Sequence, residues 1–222
     1  MEVFYIIFTI LGLLVFLFLL TTFIYLNVHF GSQKSEIYKI GKLAEVEISQ
    51  KLEKWAQVNN SIWIDGSLYK INKNILFEID GILITSRAVI VVEMKSMSGT
   101  LLGIGNQPKL IKKIHDKEFE INNPIIQNEK HIDHILNVIN KRGIPILSMI
   151  IYADRIKALR VSHVPEHVLL IKESEISDTM WEVYKNLKIT MSKQDMKKLQ
   201  LKILAAQTKN KKDQQKFELF YN

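Results

Sequence analysis

The segment Leu76-Phe-Glu-Ile-Asp-Gly-Ile-Leu-Ile-Thr-Ser-Arg-Ala-Val-Ile-Val-Val-Glu-Met-Lys95 contains two apolar, β-branched runs separated by Thr85-Ser86-Arg87. Runs of this composition are typical of strands that are buried on both faces. Three charged groups, Asp80, Glu93 and Lys95, interrupt these runs. The segment therefore predicts a hairpin that carries charges where its sheet should be most deeply buried.

The register of this hairpin decides whether the charges meet. Pairing centred on Ser86-Arg87 sets Asp80 opposite Glu93 and Glu78 opposite Lys95, with Glu93 and Lys95 on one face. Ser-Arg is a poor two-residue turn, but a four-residue loop about the same centre keeps the pairing. An odd-length loop or a bulge would move the two acids to opposite faces.

Two interpretations of the opposed acids remain open. Buried carboxylates repel each other and lose their hydration, which costs several kcal/mol unless it is compensated. A divalent cation held by oxygen ligands would compensate them, with help from Lys95. In the alternative, Lys95 neutralises Glu78 or Glu93 in a purely structural salt bridge. The pattern favours a metal-dependent site.

The first residues predict a membrane anchor. Val3 to Leu26 is a continuous apolar stretch, long enough to span a bilayer as a helix. A cleavable signal peptide is the main alternative, but only Met1-Glu2 precede the stretch and supply no basic region. We therefore expect a retained anchor in residues 1–30 and a polar linker in residues 31–40.

Flanking charges predict the orientation of the anchor. No Lys or Arg precedes it, whereas Lys34, Lys39 and Lys42 follow. The positive-inside rule then places a single-pass protein with its soluble domain in the cytoplasm. The chain has no cysteine, which excludes disulfides and thiol chemistry and agrees with a reducing compartment.

The net charge of +7 is concentrated near the C-terminus. Between Lys185 and Glu218 there are ten lysines and three acids. Such a region can contact nucleic acid or an anionic lipid surface, or it can be a solvated helix face. The last of these is the ordinary interpretation.

Hydrophobic periodicity predicts an α/β fold, with a mixed β-sheet flanked by helices. Residues 41–175 would form the main domain, and residues 176–222 a helical, basic extension that is loose from Thr208. Beside the hairpin, the expected strands are Ile62–Tyr69, Gly99–Gly105, Leu110–His115, Glu118–Ile121, Pro145–Tyr152 and His167–Ile171. The expected helices are Lys42–Val58, one capped by Asn123 and ended by Lys141-Arg142-Gly143, Asp178–Asn186, and one from Ser192.

Two helices carry further polar candidates. Glu45 borders the buried face of the first helix, where a first-turn acid also suits the helix dipole. Gln127 lies in the first turn of the Asn123-capped helix, where it can reach toward a ligand. His131 and His134 form a possible metal pair, but no third ligand accompanies them, so we interpret them as surface or core-edge histidines. Phosphate-loop and serine-nucleophile signatures are absent from the sequence.

Four segments, taken together, resemble the nuclease-related domain (NERD) family of the PD-(D/E)xK nuclease superfamily. They are Gly41–Glu45, Glu78–Asp80, Glu93–Gly99 and Asn123–Gln127, within residues 38–152. Ile79 departs from the Pro that is common in the superfamily, and Ser86-Arg87-Ala88 departs from a Gly-containing turn. The resemblance implies a restriction-endonuclease-like core.

The resemblance also implies a set of site residues. Mg²⁺ or Mn²⁺ would be bound by Asp80, Glu93 and the backbone carbonyl of Met94, with Glu45 as an outer or second-metal ligand. Hard cations prefer such oxygen ligands. Lys95 would orient the attacking water and stabilise charge on the phosphate, and a neighbouring glutamine, Gln127, would support the substrate or this lysine.

These expectations combine into a membrane-anchored, metal-dependent nuclease that hydrolyses phosphodiester bonds of DNA or RNA. The alternative is a catalytically inactive, membrane-tethered module of the same fold that binds nucleic acid or protein. A third interpretation is a structural membrane protein whose basic tail contacts lipid.

Overall fold

The structure is a computed structural model that describes residues 1–71, 75–140 and 143–221, with the backbone alone for residues 3, 6, 8–10, 26–35, 37, 220 and 221. The chain divides into two compact units, Met1–Leu43 and Ala44–Asn222. The helices are α1 Glu2–Val58, α2 Pro124–Ile139, α3 Ile176–Asn186, α4 Lys193–Ala205 and α5 Lys211–Tyr221. The strands are β1 Ile62–Ile71, β2 Ile75–Ile84, β3 Val89–Lys95, β4 Gly99–Ile104, β5 Lys109–Ile114, β6 Lys117–Asn122, β7 Ile146–Tyr152, β8 Ile156–Ser162 and β9 Val168–Lys172.

The first helix includes the segment predicted to be an anchor. Within the helical residues whose side chains are described, no stretch is both long and apolar enough to cross a membrane. The predicted span from Val3 to Leu26 also contains residues 3, 6, 8–10 and 26, whose side chains lie outside the described set. Residues 31–40, predicted as a linker, are helical in the structure.

A five-stranded sheet forms the centre of the second unit, in the order β1-β2-β3-β7-β9. Antiparallel pairing joins β1, β2 and β3, and parallel pairing joins β3, β7 and β9. Helices cover both faces, because Val89 and Val91 pack with α2 and α4 while Ile90 and Val92 pack with α1 and α3. Both faces of β3 are therefore buried, as its apolar sequence predicts.

The predicted α/β fold with a mixed sheet flanked by helices is confirmed, but the structure has two mixed sheets where one was expected. The second has the order β6-β5-β4-β8. Its β8 was missed from the sequence because Lys157 and Arg160 break up the apolar residues of Ile156–Ser162, most of which stay partly exposed. The chain enters this sheet at Gly99, whose φ of 92° favours glycine and where a Cβ would overlap the Lys113 carbonyl oxygen.

Two end regions also differ from expectation. Lys211–Tyr221 forms a helix where the sequence predicted a loose end, and Asp213 in its first turn accepts a hydrogen bond from Lys70 Nζ at 2.7 Å. Helix α2 ends at Ile139 with Asn140 in the left-handed conformation, whereas Lys141 and Arg142 of the predicted end lie outside the described residues. An asparagine can supply the left-handed cap usually given by glycine.

Helix α2 is fixed to the sheet by buried amide groups. The side chain of Asn123 accepts the N–H of Ile125 at 2.9 Å, which confirms the predicted cap. Asn128 is fully buried and donates to the Val91 carbonyl at 2.9 Å and to Ser148 Oγ at 2.8 Å. Because these partners lie on β3 and β7, the helix is anchored across the parallel pair that leads into the site.

Candidate active site

The register of the acidic hairpin is as predicted. Strands β2 and β3 pair from Ile84↔Val89 to Gly81↔Val92, across the four-residue loop Thr85–Ala88. The Thr85 hydroxyl accepts the N–H groups of Arg87 and Ala88 at 3.1 and 3.0 Å. A side-chain oxygen thus satisfies the loop backbone, which explains why the turn needs no glycine.

The pairing between β2 and β3 ends at Gly81 and Val92, and Asp80 is the next residue along β2. Continuing the register by one residue places Asp80 opposite Glu93. Instead of a ladder bond, Oδ2 of Asp80 accepts the N–H of Met94 at 2.7 Å. Since a residue's N–H and C=O point toward the same neighbouring strand, the Met94 carbonyl also faces Asp80. Two oxygen groups therefore border this gap in the sheet.

Glu93 and Lys95 form an ion pair next to the gap. Lys95 Nζ lies 2.5 Å from Glu93 Oε1, and it also donates to Gln127 Oε1 at 3.2 Å. Glu93 is only 2% exposed, whereas Glu78 is exposed at the surface. The structural alternative is therefore present in part, because Lys95 does neutralise Glu93. Among the described residues, however, no Lys, Arg or His forms an ion pair with Asp80.

The pKa values of Asp80 and Glu93 show that their surroundings disfavour the charged carboxylates. Burial, and then the charge of Glu93, raise the pKa of Asp80 to about 7, against the opposing effects of the Met94 N–H and Lys95. Burial also raises the pKa of Glu93, although Lys95 opposes it. Glu45, half-buried on α1, raises the pKa of both. The fold thus brings Glu45 close enough to the two acids for its charge to affect them.

Two residues of this region were missed in the sequence. His131 Nε2 lies 3.6 Å from Glu93 Oε2. Burial first, and then the charges of His134, Lys95 and Lys130, lower its pKa to about 4, so its ring is neutral at pH 7. The sequence places His131 on one line with Gln127, but we interpreted it as a surface or core-edge histidine because no third metal ligand accompanies it.

The second missed residue is Tyr152, at the end of β7. It is fully buried, and burial followed by the charge of Glu93 raises the pKa of its hydroxyl. Among the described residues, neither this hydroxyl nor the ring nitrogens of His131 have a hydrogen-bond partner. Buried polar groups usually have hydrogen-bond partners, so this cluster around Glu93 is suited to form hydrogen bonds with a ligand.

His134 does fit the prediction of a core-edge histidine. Its ring lies 4.5 Å from the ring of Phe77. His167 pairs with Glu129 at 2.7 Å at the exposed surface. These two histidines therefore belong to packing and surface contacts.

The oxygen groups suit a hard divalent cation, but they do not form a complete cage. Within the described residues, no cluster of three His, Cys, Asp or Glu side chains is close enough to hold a metal ion. The available set is the carboxylates of Asp80 and Glu93 and the carbonyl of Met94. Mg²⁺ is often bound by one or two carboxylates plus water and substrate phosphate, so this set fits such a cation.

The nuclease-related domain (NERD) model matches residues 40–153, just over half of the chain and the whole region from Glu45 to Tyr152. The matched region thus contains the acidic hairpin and the helix α2 that covers it. The chain belongs to the NERD family. No curated protein and no solved structure matches it.

Proposed function

We propose that the protein is a metal-dependent nuclease that hydrolyses phosphodiester bonds of DNA or RNA. The family is nuclease-related, and one observation supports the chemistry above all. Asp80 and Glu93 are held together in a buried site although both have raised pKa values. A fold kept only for stability gains nothing from this repulsion, whereas a bound divalent cation would offset it.

Asp80, Glu93 and the Met94 carbonyl are the groups that would hold Mg²⁺ or Mn²⁺, with Glu45 as an outer or second-metal ligand. When bound, such an ion polarises a phosphoryl oxygen and lowers the pKa of its water. Asp80 is fixed for this role by the Met94 N–H. On this proposal the core is restriction-endonuclease-like in its chemistry.

Lys95 is placed to act on the nucleophile and on the phosphate. Its amine is held between Glu93 and Gln127, and its side chain is 27% exposed. From there it can orient the attacking water and stabilise the negative charge that develops on the phosphate. Gln127 keeps the amine in position from α2, where the docked Asn128 prevents the helix from shifting.

The proposal is tested by incubating the purified full-length chain, in detergent solution, with single- and double-stranded DNA and RNA. We expect cleavage of at least one substrate with Mg²⁺ or Mn²⁺, none with EDTA, and heat released when Mn²⁺ is titrated into the metal-free protein. Glu93→Gln should lose both signals, whereas Glu120→Gln, an exposed acid on β6, should keep them.

The inactive binding module predicts a different result. It is favoured by the incomplete cage, in which Lys95 already neutralises Glu93. In that case the native chain would bind no Mn²⁺ and cleave none of the four substrates at any metal concentration. Either cleavage that persists in EDTA or an undiminished Glu93→Gln variant would also contradict the metal-dependent nuclease.

We also propose that residues 1–30 anchor the chain in a membrane, with the soluble domain in the cytoplasm. The described side chains of Leu11 and Leu13–Leu20 are 42% to 69% exposed, and so large an apolar surface is normally covered. The full chain should remain with membranes after alkaline extraction, and a chain without residues 1–30 should not. Liposome binding that survives this deletion would instead assign lipid contact to the basic C-terminal region.

A further inference from the structure

The β5–β6 hairpin separates its charges between two faces. Directly opposed residues share a face, and the pairs Leu110↔Ile121, Lys112↔Phe119 and Ile114↔Lys117 therefore lie together. We call these six residues the inner face; it carries two lysines and no acid. The opposite face holds both acids of the two strands, with Lys113 paired to Glu118 at 3.2 Å.

The inner face is directed to the same side of the first sheet as the candidate site. At its base, Leu110 is fully buried in a cluster with Ile150 and Tyr152. These two residues pair with Glu93 and Lys95 in the β3–β7 register. Because paired residues of neighbouring strands point to the same face, the base of the hairpin packs beside the acids.

The tip of the hairpin is held close to the site by a short connection. Gly99 is four positions after Lys95 in the sequence, so the two lie within about 14 Å of each other. A Cβ at Gly99 would lie 3.0 Å from Cγ1 of Ile114, near the hairpin tip. Arg155 also donates to the Ser96 carbonyl and hydroxyl within this connection. The tip of the inner face is therefore tied to Lys95 by a short connection.

The chemistry of the inner face suits a flexible polyanion with aromatic groups. Phe119 is 48% exposed although it is a large apolar residue. Lys112 lies opposite it, and among the described residues neither Lys112 nor Lys117 takes part in an ion pair. An exposed ring stacks on an unpaired base, and lysines beside it neutralise phosphates. Bases in a duplex are already stacked on each other and cannot use the ring.

We propose that the inner face of the β5–β6 hairpin binds single-stranded nucleic acid and leads it to the site at Lys95. This deepens the proposed nuclease function and rests on it. Phe119 stacks on one base, and Lys112 and Lys117 contact the phosphates on either side. The substrate strand is thereby held by its general chemistry, without recognition of a particular base.

Binding is measured in EDTA, so that cleavage plays no part. Fluorescence anisotropy of the full-length chain in detergent solution uses labelled oligothymidylate and oligouridylate of about 12 nucleotides. We expect Phe119→Ala to weaken binding about tenfold or more. Lys112→Ala with Lys117→Ala should lower the slope of log affinity against log salt by about 1.4.

Matched variants come from the opposite face of the same hairpin. Lys113→Ala removes a lysine that is already paired, and Ile111→Ala removes an apolar side chain; both should change affinity less than about twofold. A duplex of the same length should be insensitive to Phe119→Ala. If one oligonucleotide binds much better than the other, the 2′-hydroxyl or the thymine methyl group is also recognised, and the stacking role stands if Phe119→Ala weakens that complex.

The proposal is overturned if the native chain binds neither oligonucleotide, if inner-face variants bind as the native chain does, or if duplex and single strand respond equally to Phe119→Ala. Failure of the nuclease function gives a separate result. In that case binding through the inner face is observed, but no metal ion supports cleavage of the bound strand. Cleavage with normal kinetics in the inner-face variants would instead support the nuclease function and exclude the hairpin from substrate binding.

Discussion

Replacing Asp80 with asparagine is expected to abolish cleavage and to stabilise the metal-free protein at pH 8. An amide oxygen can still accept the Met94 N–H, but it lacks the charge that a cation requires. Loss of a metal ligand should reduce the rate by about 10³-fold or more. A pKa of about 7 against an ordinary value near 3.9 corresponds to about 4 kcal/mol. Water at the partly exposed carboxylate reduces the gain in the free energy of unfolding to about 2 kcal/mol.

The pH dependence of this gain follows from the raised pKa. Between about pH 4 and pH 7 the folded Asp80 holds its proton while the unfolded one has lost it, so native stability falls as pH rises. His131, whose pKa is about 4, contributes the opposite slope in both proteins. The difference between variant and native therefore reports Asp80 together with its repulsion of Glu93. It should be near zero at pH 4 and largest at pH 8.

Urea unfolding at several pH values, in EDTA, measures this difference. Asp116→Asn, an exposed acid in the turn between β5 and β6, is the control and should change neither stability nor cleavage. A variant that keeps cleavage within tenfold of the native rate contradicts the proposed role of Asp80. A variant that is no more stable at pH 8 contradicts the half-buried, repelled state of its carboxylate.

Replacing Lys95 with methionine is expected to abolish cleavage and, unlike the change at Asp80, to destabilise the fold. Its amine is the described partner of Glu93, which is buried. Removing one member of a buried ion pair leaves an uncompensated charge and costs about 3 kcal/mol. Cleavage should fall by about 10³-fold, because water and phosphate lose the amine that orients and stabilises them.

A double variant separates the two effects of Lys95. Glu93→Gln combined with Lys95→Met removes both charges, and it should recover most of the lost stability without any cleavage. Lys113→Met, whose partner Glu118 is exposed, should cost less than about 0.5 kcal/mol. Cleavage by Lys95→Met at the native rate would exclude the lysine from the reaction. Equal instability of single and double variants would contradict the ion pair.

The hairpin part of the site could be predicted because it depends on local pattern. The apolar runs fix the strands, and the even-length loop at Thr85–Ala88 fixes which residues oppose each other. Asp80, Glu93 and Lys95 follow from that register alone. Gln127 followed from the cap at Asn123 and from the resemblance to the family.

The remaining parts could not be predicted because they depend on contacts between distant segments. Tyr152 reaches the site through parallel pairing of β3 with β7, and periodicity does not identify which strands pair. His131 points at Glu93 only because the buried Asn128 fixes the rotation of α2. The second sheet depends on β8, whose alternation of apolar and charged residues is too weak to be recognised.

The docking of α2 through Asn128 affects the order in which the parts of the site form during folding. The acidic hairpin is closed by local contacts, which form early in folding. Gln127 and His131 reach it only after α2 has docked across β3 and β7, a parallel pair joined by a long stretch of chain. Parallel pairing of distant segments is slow. During folding the acidic hairpin therefore forms first, and Gln127 and His131 reach it last. The complete site exists only in the native fold.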